Sequence, residues 1–456
     1  MLRELQIKNF KAWSDSGKIR IAPLTIFCGN NSSGKSSIAQ LLLMLKQTVA
    51  SSDRQRVLHF GEKNSILDLG TYSDIVFNHD TTRNLIFNIT FDNQISKIND
   101  VKNGQTFGPF SALEFHAEIS FEDKSGRVSL DKMKYNLLNG QNVSFTYFKD
   151  QLKYEMTAET YQLAKRPGRA WKLPSPLYFY GFPDEAVAYF QNTGFLPDLS
   201  LSIVNFFKNF YYIGPLREYP ERQYQFSGEI PSDIGKKGEN AIKALLASKE
   251  RKIRPSNKKT YEQFDLVVAR WLKDMGLIHA FKIASISEGR KEYEVRIQVK
   301  NNSAEVLITD VGFGVSQVLP IIVQCFFSPH SSIVFFEQPE IHLHPSVQSH
   351  LGDLFIEAIH CWEDGTDRKN QIIVESHSEH LIRRIQRRIA EGIIDPSEVA
   401  VYFVRQQDAE AKIEEMNIDL YGNITNWPEN FFGDELEDLA EMTKAARERK
   451  KKENHG

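Results

Sequence analysis

The sequence predicts an α/β fold of the phosphate-loop NTPase type, interrupted by a β-rich and helical insertion. Residues 29–36 read G-N-N-S-S-G-K-S between an apolar strand pattern at 24–28 and a helix-spaced run (Ile38, Leu41, Leu42, Leu45). Far along the chain, from about residue 309 to 404, apolar strand and helix patterns alternate again. Between these two stretches the pattern changes to the period-2 alternation of half-exposed strands.

The loop comes first because its chemistry is the most specific. Gly29 and Gly34 let the backbone wrap a polyphosphate, and the N–H groups of Asn30, Asn31, Ser32, Ser33 and Ser37 are placed to donate to it. Lys35 has the reach for the β and γ phosphates, and the Ser36 hydroxyl suits Mg²⁺. The expected ligand is a nucleoside triphosphate with Mg²⁺.

Length and charge bound the rest. A chain of 456 residues buries a large core and has room for insertions. A net charge of −3 argues against a dominant basic face, leaving Arg217, Arg222, Lys236 and Lys237 as candidates for a local one where DNA could bind. Cys28, Cys325 and Cys361 lack ligand-like spacing and lie in apolar surroundings, which suits buried thiols in a reducing cytoplasm. The opening residues alternate like a strand and lack a secretory apolar core. The apolar stretch 318–336 is broken by Gln324, Ser328, Pro329, His330, Ser331 and Ser332, so it reads as helix, turn and strand, and no membrane association is expected.

In chain order, residues 1–60 and 305–405 are expected to form the nucleotide-binding core. Residues 61–212 form a β-rich insertion, with strands near 84–92, 112–121 and 126–138 and a helix feeding a strand over 199–212. Its aromatics Phe206, Phe207, Phe210, Tyr211 and Tyr212 have few cations beside them and read as core. Residues 213–304 supply an ordered connector, mostly helical over 236–275, then strands over 281–299. Residues 405–456 form a C-terminal extension ending in a charged, solvated helix.

Three signals accompany the loop. The run I-V-F-F-E at 333–337 is a buried strand ending in an acid, so Glu337 is the candidate metal-site carboxylate. Another strand leads to His377, placed to sense the γ-phosphate. The string D-V-G-F-G-V-S-Q at 310–317 puts Gly312, Gly314, Ser316 and Gln317 ahead of a helix expected to begin near Val318. Because one phosphate loop is already present, this second phosphate-binding element is expected to complete the nucleotide of another subunit. His342, His344, His377 and His380 invite a metal cluster, but alternate residues on a turn point apart, and the bland reading is preferred.

The order of these motifs resembles the ATP-binding-cassette (ABC) type ATPases. The opening I-K-N-F-K, with G-F-G-V-S-Q and E-Q-P-E-I-H-L-H-P, is similar to their RecF, SMC and OLD-like branch. The strings Y-I-G-P-L-R-E-Y-P, L-D-L-G-T-Y-S-D-I-V and N-W-P-E-N-F-F resemble bacterial ATPases carrying a DUF3696 region, a group similar to the ATPase subunit of the Septu anti-phage system, which works with an HNH nuclease.

That resemblance implies an ABC-head fold in which Gly29, Gly34, Lys35 and Ser36 bind phosphates and Mg²⁺. Glu337 would be the Walker B acid, His377 the switch histidine, and 341–345 the D-loop. Ser316 with its flanking glycines would contact the γ-phosphate held by the partner of a head-to-tail dimer, or of a higher assembly of dimers. It further implies a nucleotide-gated switch in anti-phage defence, controlling a separate HNH-type nuclease that acts on DNA. Alternatives are a non-hydrolysing ATP sensor that keeps a toxic partner silent, and an SMC/RecF-like DNA-repair ATPase. One departure matters: Gln338 stands where the family has a catalytic glutamate. An amide cannot accept a proton at neutral pH, so either Glu340 takes the base role or hydrolysis is slow.

Overall fold

Alternate residues of the strand Leu24–Gly29 bury on opposite faces, and this fixes the layer structure. Phe27 joins a core with Phe335, Ile373 and Tyr402, whereas Leu24, Ile26 and Cys28 join another with Val334, Phe336, Ile372 and Val374. The computed structural model describes residues 1–428, apart from 54–55, 64, 93–94, 96, 101, 139–141, 152, 169–171, 257 and 288–289, and also residues 441–447 and 449.

The central sheet has six strands, in the order Phe210–Ile213, Ile333–Glu337, Gln371–Glu375, Leu24–Gly29, Val399–Gln407 and Glu410–Met416. The first five run parallel and the last is antiparallel. Helices Lys35–Val49 and Leu196–Lys208 contribute to the first core. Phe264–Asp274, Phe313–Phe327, Pro345–His360 and Glu379–Ala390 contribute to the second. A parallel sheet sandwiched by helices brings its catalytic loops to the carboxyl ends of the strands.

An eight-stranded antiparallel sheet covers the first core. Its main path is Lys153–Glu159, Val143–Asp150, Arg127–Leu138, Ala112–Glu122, Leu85–Asp92, Leu2–Phe10 and Trp13–Asp15, and Ile19–Arg20 also pairs with Leu2–Phe10. The period-2 segments near 84–92, 112–121 and 126–138 are therefore strands of one sheet. Leu2–Phe10 lies in it because its buried side, Leu5, Ile7 and Phe10, needs the same core while Gln6 and Lys8 stay wetter.

Some local expectations shift. The helix placed near Val318 begins at Phe313, with Gly312 as its cap, so Ser316 and Gln317 lie inside it. Burial already begins at Val315, and Gly314 lies in the first turn of the helix. Pro320 sits within this helix, and a side chain on Gly238 would collide with its ring at 2.4 Å. The stretch 236–275 holds two helices, Ala241–Ala247 and Phe264–Asp274, separated by the strand pair Lys252–Arg254 and Glu262–Gln263. Phe206, Phe207, Phe210 and Tyr211 are buried, as are the three cysteines. Of the terminal extension, residues 441–447 are helical and exposed, while 429–440, 448 and 450–456 lie outside the described residues. Among the described residues no helix is long and apolar enough to cross a membrane.

Candidate functional site

The loop between the strand Leu24–Gly29 and the helix Lys35–Val49 is possible only with glycine at its ends. Gly29 has φ +134°, and a Cβ there would stand 1.9 Å from the Val404 carbonyl oxygen. Gly34, at φ +100°, caps the helix, whose first-turn N–H groups make an anion-binding end. Asn30, Asn31 and Ser32 are exposed at the tip, whereas Ser33, Lys35 and Ser37 are buried. The Lys35 ammonium folds onto its own loop, donating to the carbonyls of Gly29 at 3.1 Å and Asn30 at 2.6 Å. Burial lowers its pKa, against the pull of Glu375.

Strand order then gathers the acids. In register across the sheet, Glu337 is the neighbour of Glu375, and Glu375 of Phe27, which brings two carboxylates beside the phosphate loop. The Ser36 hydroxyl donates to Glu375 Oε1 at 2.9 Å, and the Tyr212 hydroxyl donates to Glu337 Oε2 at 2.5 Å. Glu340 is buried and accepts the His377 N–H at 2.6 Å. Glu340 Oε2 and Glu375 Oε2 are both buried without a hydrogen-bond partner. Desolvation, then the charge of Glu337, pushes Glu375 up to about 7, and desolvation also raises Glu340.

Gln338 adopts the left-handed region at φ +44°, where its N–H donates to the Glu375 carbonyl at 2.8 Å. Arg217 fixes the same turn from the other side, donating to the carbonyls of Gln338 at 3.2 Å and Glu337 at 3.3 Å. Burial lowers the Arg217 pKa to about 10. His377 is exposed at the rim, and desolvation of its ring, followed by the charge of Lys35, holds it below the usual histidine range.

Residues 29–37, Glu337, Gln338, Glu340 and His377 thus meet at one end of the parallel sheet. Gly312, Gly314, Ser316 and Gln317 do not join them: among the described residues no hydrogen bond or ion pair links the two groups. Ser316 donates to the Phe313 carbonyl at 2.8 Å and lines a small cleft with Glu218, Tyr219 and Pro320. The Phe313 ring meets His342 of segment 341–345 edge-on, with centroids 5.2 Å apart.

Of the candidate basic face, one member leaves the surface and the other three stay exposed but partnered. Arg217 is buried, Arg222 pairs with Asp310 at 3.0 Å, Lys237 pairs with Glu218 at 3.2 Å, and Lys236 caps the carbonyls of Ser65 and Ile66. Of the histidines, His344 caps the helix Pro345–His360, and among the described residues no three His, Cys, Asp or Glu side chains gather as a metal cluster.

Sequence reasoning missed Glu375, Tyr212 and Arg217. Glu375 had a signal, since its strand ends in an acid just as Ile333–Glu337 does. Tyr212 and Arg217 had none, because their roles exist only through strand pairing. The donor set of one hydroxyl and two carboxylates, with an unpartnered carboxylate oxygen, is hard and oxygen-based. It fits Mg²⁺, which takes few protein ligands and completes its shell with water and phosphate.

Residues 24–383 match the family model described as "AAA domain, putative AbiEii toxin, Type IV TA system", and residues 394–442 match "Protein of unknown function (DUF3696)". No curated protein matches the chain. Among solved structures, an Smc head bound to the C-winged helix domain of ScpA is similar at 12% identity, covering 92% of this chain and 98% of that one, with a TM-score of 0.44. The SMC head domain from Thermotoga maritima is also 12% identical, covering 91% of this chain and 99% of the other, with a TM-score of 0.41. The first family match runs from the phosphate-loop strand through both acid-ending strands to the helix after His377, and the chain belongs to this AAA-domain family, with a DUF3696 region behind it.

Proposed function

We propose that this chain binds ATP with Mg²⁺ and works as a nucleotide-gated, head-to-tail dimer or an assembly of such dimers. The observation that carries the reading is the meeting of Lys35, Ser36, Glu337 and Glu375 at the strand ends, while among the described residues Ser316 makes no hydrogen bond to them. Lys35 and the loop N–H groups would hold the phosphates, and Ser36 with Glu337 would hold Mg²⁺. The metal, when bound, neutralises phosphate charge and orients the phosphates. Ser316, whose hydroxyl bonds within its own helix, would complete the neighbour's site, so ATP favours the closed pair by its differential affinity.

Turnover is slow in this reading, because Gln338 cannot accept a proton; Glu340, whose Oε1 accepts the His377 N–H while its Oε2 has no partner, is the alternative base. We further propose that the closed pair controls a separate HNH-type nuclease acting on DNA in cytoplasmic anti-phage defence, a role supported by the motif likeness to Septu ATPases. The sensor that holds a partner silent without turnover is the competing reading, and Gln338 favours it.

Light scattering of the full chain with and without ATP and Mg²⁺ tests the dimer. Wild type should roughly double in mass with nucleotide, and Ser316→Arg should bind nucleotide yet stay single. Unchanged association of S316R overturns the shared site. Phosphate release separates switch from sensor: slow but measurable wild-type turnover, raised about 10²- to 10⁴-fold in Gln338→Glu, supports the switch.

A further inference from the structure

We propose that Glu375 is a positioning residue for the metal: it takes the Ser36 hydroxyl proton in a hydrogen bond and so leaves that oxygen's lone pairs for a divalent cation, with its second oxygen available to a metal-bound water. This rests on the reading of the strand ends as an ATP and Mg²⁺ site. Three observations carry it. The Ser36 Oγ to Glu375 Oε1 bond is 2.9 Å, and it joins the helix after the phosphate loop to the strand paired beside that loop's own strand. Glu375 is 2% exposed, yet its Oε2 has no partner, a costly arrangement for a side chain that folding alone would retain. Its strand lies between the Glu337 strand and the phosphate loop, so of the two acids it is the one in contact with Ser36.

The competing explanation is that Glu375 merely ties the Ser36 helix end to the sheet. A tie of that kind serves the loop whether or not metal is present, whereas a metal-positioning acid matters only when metal is there. Outer ligands of this sort affect metal affinity by about 10- to 100-fold.

The test measures affinity of the full chain for a fluorescent ATP analogue, first in EDTA and then in Mg²⁺ or Mn²⁺, with the EPR spectrum of bound Mn²⁺ as a second readout. Glu375→Gln should not weaken affinity in EDTA, since it removes a negative charge beside Lys35, but should reduce the gain from metal about 10- to 100-fold and alter the Mn²⁺ spectrum. Glu375→Asp, which keeps the charge, should recover part of the gain and guards against a glutamine variant that misfolds. The proposal is overturned if E375Q weakens binding equally with and without metal, or if the gain from metal and the Mn²⁺ spectrum match wild type. Lys35→Ala separates the two layers: if it binds the analogue like wild type, the ATP-site reading itself fails and takes this one with it.

Discussion

On the solvent side of the antiparallel sheet, His116 Nδ1 lies 2.7 Å from Asn88 Oδ1, its Nε2 lies 2.8 Å from Glu118, and Lys132 reaches the same carboxylate at 3.0 Å. At the ends of the parallel strands, Glu340 and Glu375 each keep a buried oxygen unpartnered, and the Arg217 Nε is in the same position. The backbone differs likewise. Gly29, Ser32, Gly34, Gln338 and His342 all have positive φ around the site, whereas the strands Leu85–Asp92, Ala112–Glu122 and Arg127–Leu138 contain none. One region is satisfied by folding, and the other keeps unpartnered polar groups and left-handed turns around the phosphate loop. The antiparallel sheet supplies stability, which the strand ends draw down.

The largest effect should come from breaking the stable half. Phe115 is fully buried, with its ring 4.8 Å from Tyr135 and 5.9 Å from Phe179. Phe115→Ala should lower unfolding free energy by about 3–5 kcal/mol in denaturant titration while leaving nucleotide affinity of the folded fraction intact. A matching loss of affinity would show that the two regions are not separable in this way.

Next comes the cost held at the strand ends. Glu375 titrates at about 7 in the fold and near the ordinary 4.5 when unfolded. Below 4.5 both states carry the proton; between 4.5 and 7 only the folded state does, so stability falls as pH rises through that window and levels off above it. Metal-free wild type should therefore lose about 3 kcal/mol relative to Glu375→Gln between pH 4.5 and pH 8. Parallel pH profiles for the two proteins would remove the idea that burial of this acid is a standing cost.

What could be read from the sequence follows the same division. The loop, its strand and its helix are set by adjacent residues, and Glu337 and His377 stand at the ends of recognisable apolar runs. The contacts that turn these into a site are long-range: Ser36 to Glu375 spans 339 positions, Tyr212 to Glu337 spans 125, and Arg217 to Gln338 spans 121. They depend on Gln371–Glu375 inserting between two other strands, and no local period encodes that order. Alternation at 2–10 likewise announces a strand with one wet face without saying which sheet receives it. Arg217 looked like a surface cation because arginines usually are, and only the fold shows it holding the Gln338 turn.

The smallest effect sharpens what satisfied means for the antiparallel face. Lys132 is 40% exposed and Glu118 26%, so water screens their pairing, and Glu118 also has His116 as a partner. The Glu118 pKa is lowered overall: its desolvation acts upward, and the hydrogen bonds from His116 and Lys132 outweigh it. Its contribution is therefore present above the ordinary carboxylate range and fades as pH falls below it. Lys132→Ala should cost no more than about 1 kcal/mol at low salt, measured by denaturant titration at neutral pH, and less at high salt. A loss of several kcal/mol that salt does not touch would mean that this network helps hold the sheet together. The contrast between the regions would then rest on buried rings such as Phe115 less than on the polar face.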